Sequence, residues 1–71
     1  MDELSRRQAE LHKFMLKHHH NHDMWPSLRE SADALGVASL NSITLLMKQL
    51  LRKGFARRGA GTARGWIAVI K

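Results

Sequence analysis

Apolar positions along this chain fall into three helix-type repeats followed by two short strand-type runs. Leu11, Phe14 and Met15, with His18 as a further inward position, recur at helical spacing behind Ser5-Arg6-Arg7-Gln8. In that tetrad the Ser5 hydroxyl can cap a free backbone N–H while Gln8 reaches back, which predicts a helix over about 5–20. The polar run His18-His19-His20-Asn21-His22 blurs and frays its end, and Pro26 forces an extended residue before it. Ser27-Leu28-Arg29-Glu30 is a second capping box, and it predicts a helix over about 28–35 with Leu28, Ala32 and Leu35 inward. Gly36 suits the left-handed position that ends a helix. Ser39 is the next cap, after only Val37 and Ala38. Ile43, Leu46, Met47 and Leu50 then recur at i, i+3, i+4 and i+7, which predicts a third helix over about 40–53 ending at Gly54.

Phe55-Ala56-Arg57 and Trp66-Ile67-Ala68-Val69-Ile70 read as two strands, and the glycine-rich, basic segment between them reads as a hairpin tip, so a wing is expected over about 55–70. The expected fold is α+β, mainly α: three helices and a two-stranded β-hairpin, a winged helix-turn-helix in one domain over residues 1–71. Trp25 and Trp66 are expected to be packing anchors. With four aromatic residues in the whole chain, the set of exposed strand aromatics that a single-strand reader needs is missing.

Charge adds the chemistry. The net charge is +6, and all six acids (Asp2, Glu3, Glu10, Asp23, Glu30, Asp33) lie in the first 33 residues with five basic ones. From Ala34 onward there are seven basic residues (Lys48, Arg52, Lys53, Arg57, Arg58, Arg64, Lys71) and no acid. A half of one sign is the electrostatic footprint of a polyanion binder; the plainer alternative is a solvated basic face. Seventy-one residues cannot build both a core and a sheltered pocket, and no nucleophile, base and orienting group stand together, so an enzyme is not expected. The chain has no cysteine and no apolar run near the ~20 residues of a membrane span, so a cytoplasmic protein without disulfides is expected.

The outward face of the third helix opens with Ser39, Asn41, Ser42 and Thr44, small polar groups that can enter a DNA major groove and contact base edges, with Leu45 as a further candidate. Lys48, Arg52, Lys53, Arg57, Arg58 and Arg64 are the candidates for the DNA backbone. Each has a plainer alternative: solvated first-turn residues on the helix, charged gatekeepers on an edge strand, a simple turn at Arg64-Gly65. His18 and His22, at i and i+4, are weak metal candidates; no cofactor and no small-molecule substrate are expected. Double-stranded DNA is the expected partner. Leu45, Val69 and Ile70 are candidate homodimer contacts, and a second reading makes the chain an interaction module for a partner regulator or a polymerase component.

Leu4, Arg7-Gln8, Glu10, Met24, Pro26, Glu30, Ala32, Leu35-Gly36, Ser39, Asn41, Lys48, Leu50, Arg52-Lys53-Gly54 and Arg64-Gly65 together resemble the N-terminal DNA-binding domain of the LexA repressor family. The resemblance runs over essentially the whole chain. It implies a winged helix-turn-helix whose residues matching Ser39 and Asn41 read a CTGT-like half-site while the wing meets the backbone or minor groove. The chain departs from the pattern at Ser42, Thr44 and Leu45, where the family has a small residue followed by acidic ones, and at Ala38, where a basic residue is usual. Family members continue into a serine–lysine peptidase domain. A chain of this length is therefore expected to be a stand-alone regulator, as on a phage or mobile element, or a DNA-binding fragment.

Overall fold

The computed structural model describes residues 4–59 and 65–70. Three helices, α1 (Arg6–His22), α2 (Leu28–Leu35) and α3 (Leu40–Lys53), precede strands β1 (Ala56–Arg58) and β2 (Trp66–Ala68). The strands pair antiparallel, with Ala56 opposite Ala68, Arg57 opposite Ile67 and Arg58 opposite Trp66. This is a winged helix-turn-helix.

Local chemistry explains where each element starts and stops. At Ser5 and at Ser27 the hydroxyl accepts the N–H of the third helical residue, and the Gln8 or Glu30 side chain accepts the cap's own N–H. Gly36 and Gly54 adopt positive φ, 69° and 86°, and the following N–H groups of Val37 and Phe55 bond back to Ala32 and Leu50. Both ends thus satisfy carbonyls that the helix itself leaves open. Helix α1 does not fray at the histidines; it continues through His22 and stops at Asp23, whose φ is 57°. Side chains help hold this end: His18 Nδ1–H donates to the Met24 carbonyl at 3.0 Å, and His19 stacks on Trp25 with ring centroids 4.0 Å apart.

The core lies where the three helices meet the root of the wing. Leu11 and Met15 from α1, Ala32 from α2, Ile43, Met47 and Leu50 from α3, and Ala56, Trp66 and Ala68 from the strands form one buried cluster. Leu28, Leu35 and Leu46 pack partly buried at its edge, while Phe14 is half-buried beside the His18 ring. Polar ties fix the helices against one another. Buried Gln8 accepts from Lys53 Nζ and donates to Gln49 Oε1, both at 2.7 Å, which pins the start of α1 to the end of α3. Arg7 donates to the Leu35 carbonyl at the C-terminal end of α2 at 3.0 Å. His12 Nε2–H donates to the Val69 carbonyl at 2.8 Å and ties α1 to the chain after β2.

The two faces of α3 should therefore respond oppositely to truncation. Leu50→Ala is expected to cost about 2–5 kcal/mol of stability in urea denaturation. Leu45→Ala, on the exposed face, should stay within about 0.5 kcal/mol of the parent. Equal effects would mean that the helix is not oriented as described.

Candidate nucleic-acid interface

Helices α2 and α3 meet at 101°, which turns the outer face of α3 away from the rest of the bundle. Ile43, Met47 and Leu50 occupy the inner face. Helical geometry then puts Asn41, Leu45, Lys48 and Arg52 one above another on the opposite side, a ridge roughly 16 Å long. All four are exposed, Leu45 to 57%. Ser39 stands at the start of the ridge. Its Oγ accepts the Asn41 N–H at 3.1 Å, so the hydroxyl proton remains free to donate outward.

The other sequence-named positions divide between the two flanks of this ridge. Thr44 and Lys48 face a cleft of about 440 Å³ that is completed by the cap residue Ser27, by Leu28 and Arg29 from the first turn of α2 and by Arg58 and Trp66 from the wing. Ser42 lies on the other flank, in a hollow shared with Arg7, Val37, Leu45, Leu46 and Gln49. Lys53 is turned the same way and is held by Gln8. Successive residues of a strand point to opposite faces, so Arg57 and Arg58 diverge. Ala56 and Arg58 share the face that carries Trp66, and the Arg58 guanidinium lies 4.3 Å from the centroid of that ring. Arg57 points out from the opposite face of the ribbon, exposed. Arg64 lies outside the described residues.

At the root of the described wing the Gly59 N–H donates to the Gly65 carbonyl. A Cβ at Gly59 would lie 3.0 Å from Ile67 Cδ1, so a side chain at this crossing would require the tip of Ile67 to shift.

The LexA DNA binding domain family matches residues 1–65. The chain is 32% identical to a LexA repressor of Myxococcus xanthus over 68 residues, which is 96% of this chain and 31% of that protein. It is 35% identical over 69 residues to a LexA repressor of Geotalea uraniireducens, covering 97% of this chain and 34% of the relative. For a LexA repressor of Staphylococcus carnosus the figures are 34% over 58 residues, 82% and 28%. The chain belongs to the LexA DNA-binding domain family. It spans about a third of the length of the curated relatives it matches.

In this LexA-family domain two cleft residues escape a reading of the sequence. Arg29 belongs to the half in which six acids outweigh five bases, so a count of charge by halves hides it. Trp66 reads as a packing anchor and is one, at 5% exposure, but its ring also carries Arg58. The second position of a helix that follows a Ser-x-x-Glu cap, next to a proposed recognition helix, is the signal that would have found Arg29.

The histidine run is placed away from this face. His18 spends Nδ1–H on Met24 and turns Nε2 toward Glu30 at 3.8 Å, with the His22 ring 4.5 Å from its own. Among the described residues no group of three or more metal-ligating side chains is formed. Of the candidate dimer contacts, Leu45 and Ile70 are exposed, the latter to 78%, and Val69 is partly buried. No single helix among the described residues is long and apolar enough to cross a membrane.

Binding to the folded state raises its melting temperature. Equimolar zinc is therefore expected to leave the thermal midpoint of this domain where it was. A rise of several degrees that vanishes in His22→Ala would establish a metal site instead.

Proposed function

We propose that this domain binds double-stranded DNA sequence-specifically as the reading head of a repressor, with α3 in the major groove. The observation that carries the reading is the exposed ridge Asn41–Leu45–Lys48–Arg52, flanked by a cleft whose charged lining is cationic throughout. A major groove about 12 Å wide admits one helix, and the groups on this one suit base edges and phosphates. Membership of a DNA-binding family and relatives that carry the name LexA repressor support the same reading.

In this mechanism the Asn41 amide pairs with N6 and N7 of an adenine, and Ser39 supports it by holding its backbone N–H. Leu45, one turn further along, meets the methyl group of a thymine. A carboxylate at this point would accept a hydrogen bond from cytosine N4; α3 carries none. Ser42 and Thr44 border the read bases on either side. Lys48 and Arg52 reach the phosphates beyond them, and the wing cations Arg57, Arg58 and Arg64 follow the backbone. Lys53 contributes through its tie to Gln8, which holds α3 in place, and less through direct contact.

A single module of this size buries only about 600–1,000 Å² on DNA, so tight binding calls for two copies on paired half-sites. Occupation of such a site excludes other proteins from it, and this is the repression.

Selection from a random duplex library should yield one recurrent half-site. On that site Asn41→Ala should cost about 1–3 kcal/mol and relax preference at one base pair. Replacing the thymine opposite Leu45 by deoxyuridine should weaken the parent and leave Leu45→Ala unaffected. Affinity should also fall steeply with salt, with a slope of about −0.9 per phosphate neutralised. No duplex binding at low salt would transfer the ridge to a protein partner, the competing reading.

A further inference from the structure

The cleft beside the ridge draws its cations from three separate elements: Arg29 from α2, Lys48 from α3 and Arg58 from β1. Like charges repel, so their convergence on one hollow raises the energy of the fold unless an anion is shared among them. Among the described residues no carboxylate stands within ion-pairing distance of any of the three; the carboxylates of Glu10 and Glu30 face Arg6, Arg7 and His18. The rest of the lining is Leu28, the Trp66 ring and the hydroxyl-bearing Ser27 and Thr44. This is the chemistry of an oxyanion receptor: several donors, no acid in the lining and an apolar wall.

Arg58 is the best defined of the three. Its guanidinium lies over the Trp66 ring, and the ring is fixed in the core. A stacked guanidinium keeps its N–H edges free, in the planar fork that fits two oxygens of one phosphate. Trp66 thereby sets the plane in which Arg58 presents its donors. The register that puts Arg58 opposite Trp66 also directs Arg57 away, so the two neighbouring arginines do different work.

We propose that the cleft seats a single backbone phosphate of the duplex, held jointly by Arg29, Lys48 and Arg58, with Trp66 as a positioning residue for Arg58. The inference rests on the DNA-binding reading above. A phosphodiester is favoured over a free phosphate ion because Lys48 belongs to both the cleft and the ridge. A duplex engaged along the ridge brings its backbone past the cleft mouth. One phosphate grasped by all three elements fixes the depth and register of α3 in the groove, which base contacts alone leave adjustable.

The test is a methylphosphonate scan of the selected half-site, one neutralised phosphate at a time, against the 71-residue chain and its variants. Parent protein should lose about tenfold in affinity at one phosphate position. Arg58→Ala, Lys48→Ala and Arg29→Ala should each lose a similar factor on the unmodified duplex. All three should become less sensitive to the substitution at that same position, because part of the shared contact is already gone. Arg57→Ala should keep the sensitivity. Arg58→Lys, which retains charge but not the stacked fork, should fall between parent and Arg58→Ala. Trp66→Leu, which keeps an apolar core residue but removes the ring under the Arg58 guanidinium, should weaken binding and blunt the sensitivity at that position, and Trp66→Phe, which restores a ring, should recover both.

Coupling of the three cations to different phosphates, or to none, while Asn41→Ala still weakens specific binding, would overturn the seat and leave the DNA reading standing. Loss of all duplex binding by the parent would remove both. Millimolar inorganic phosphate that perturbs the NMR signals of Arg29, Lys48 and Arg58 as strongly as duplex does would make the cleft a free-anion site and overturn the assignment to DNA.

Discussion

The structure depends on how α3 is divided lengthwise. Ile43, Met47 and Leu50 are fully buried against α1, α2 and the strands, and nothing else in so small a chain could replace them as the centre of the core. Burying that stripe fixes the rotation of the helix about its own axis. Asn41, Leu45, Lys48 and Arg52 have no freedom to be anywhere but outside. The proposed interface is thus the other side of the core, and any change that lets α3 roll would displace the exposed ridge before it unfolded the domain.

Small polar devices defend that rotation. Gln8 joins Gln49 and Lys53 from the flank away from the wing, so it acts against rolling in one direction. On the opposite flank the wing packs its Ala56, Trp66 and Ala68 onto the same core, and the Arg58 stack rests on Trp66. The α1–α2 joint is held by Arg7 on the Leu35 carbonyl and by the His18 and His19 contacts at the far end of α1. Each of these lies outside the ridge, yet each sets where the ridge points. This is the sense in which stability and recognition are one property in a domain of this size.

What could be read from residues alone was local. Capping boxes at Ser5 and Ser27, glycines at 36 and 54, and the i, i+3, i+4, i+7 repeat of α3 are decided within a few neighbours, so they appear in sequence order. The helix-turn-helix and its exposed polar face follow from them. The rest depends on partners far along the chain. Lys53 looks like any basic residue near a helix end until Gln8, 45 positions earlier, takes its ammonium group. Arg57 and Arg58 look equivalent until strand register separates them. Arg29 is hidden by its acidic neighbours in sequence and revealed only when α2 is laid beside α3. The histidine run looked like a loose helix end, but His18 and His19 find Met24 and Trp25 and keep α1 helical through His22.

The central claim is convergence: one side of the molecule gathers the ridge, the cleft and the wing, and the duplex meets that side alone. Backbone and side-chain NMR signals followed during titration with the selected duplex test it directly. The account predicts that shifts concentrate at Ser39, Asn41, Thr44, Leu45, Lys48, Arg52 and Arg58, while the groove lined by Phe14, Lys17 and Ala34 between α1 and α2 stays silent. Shifts centred on that groove, with the α3 ridge unmoved, would contradict it.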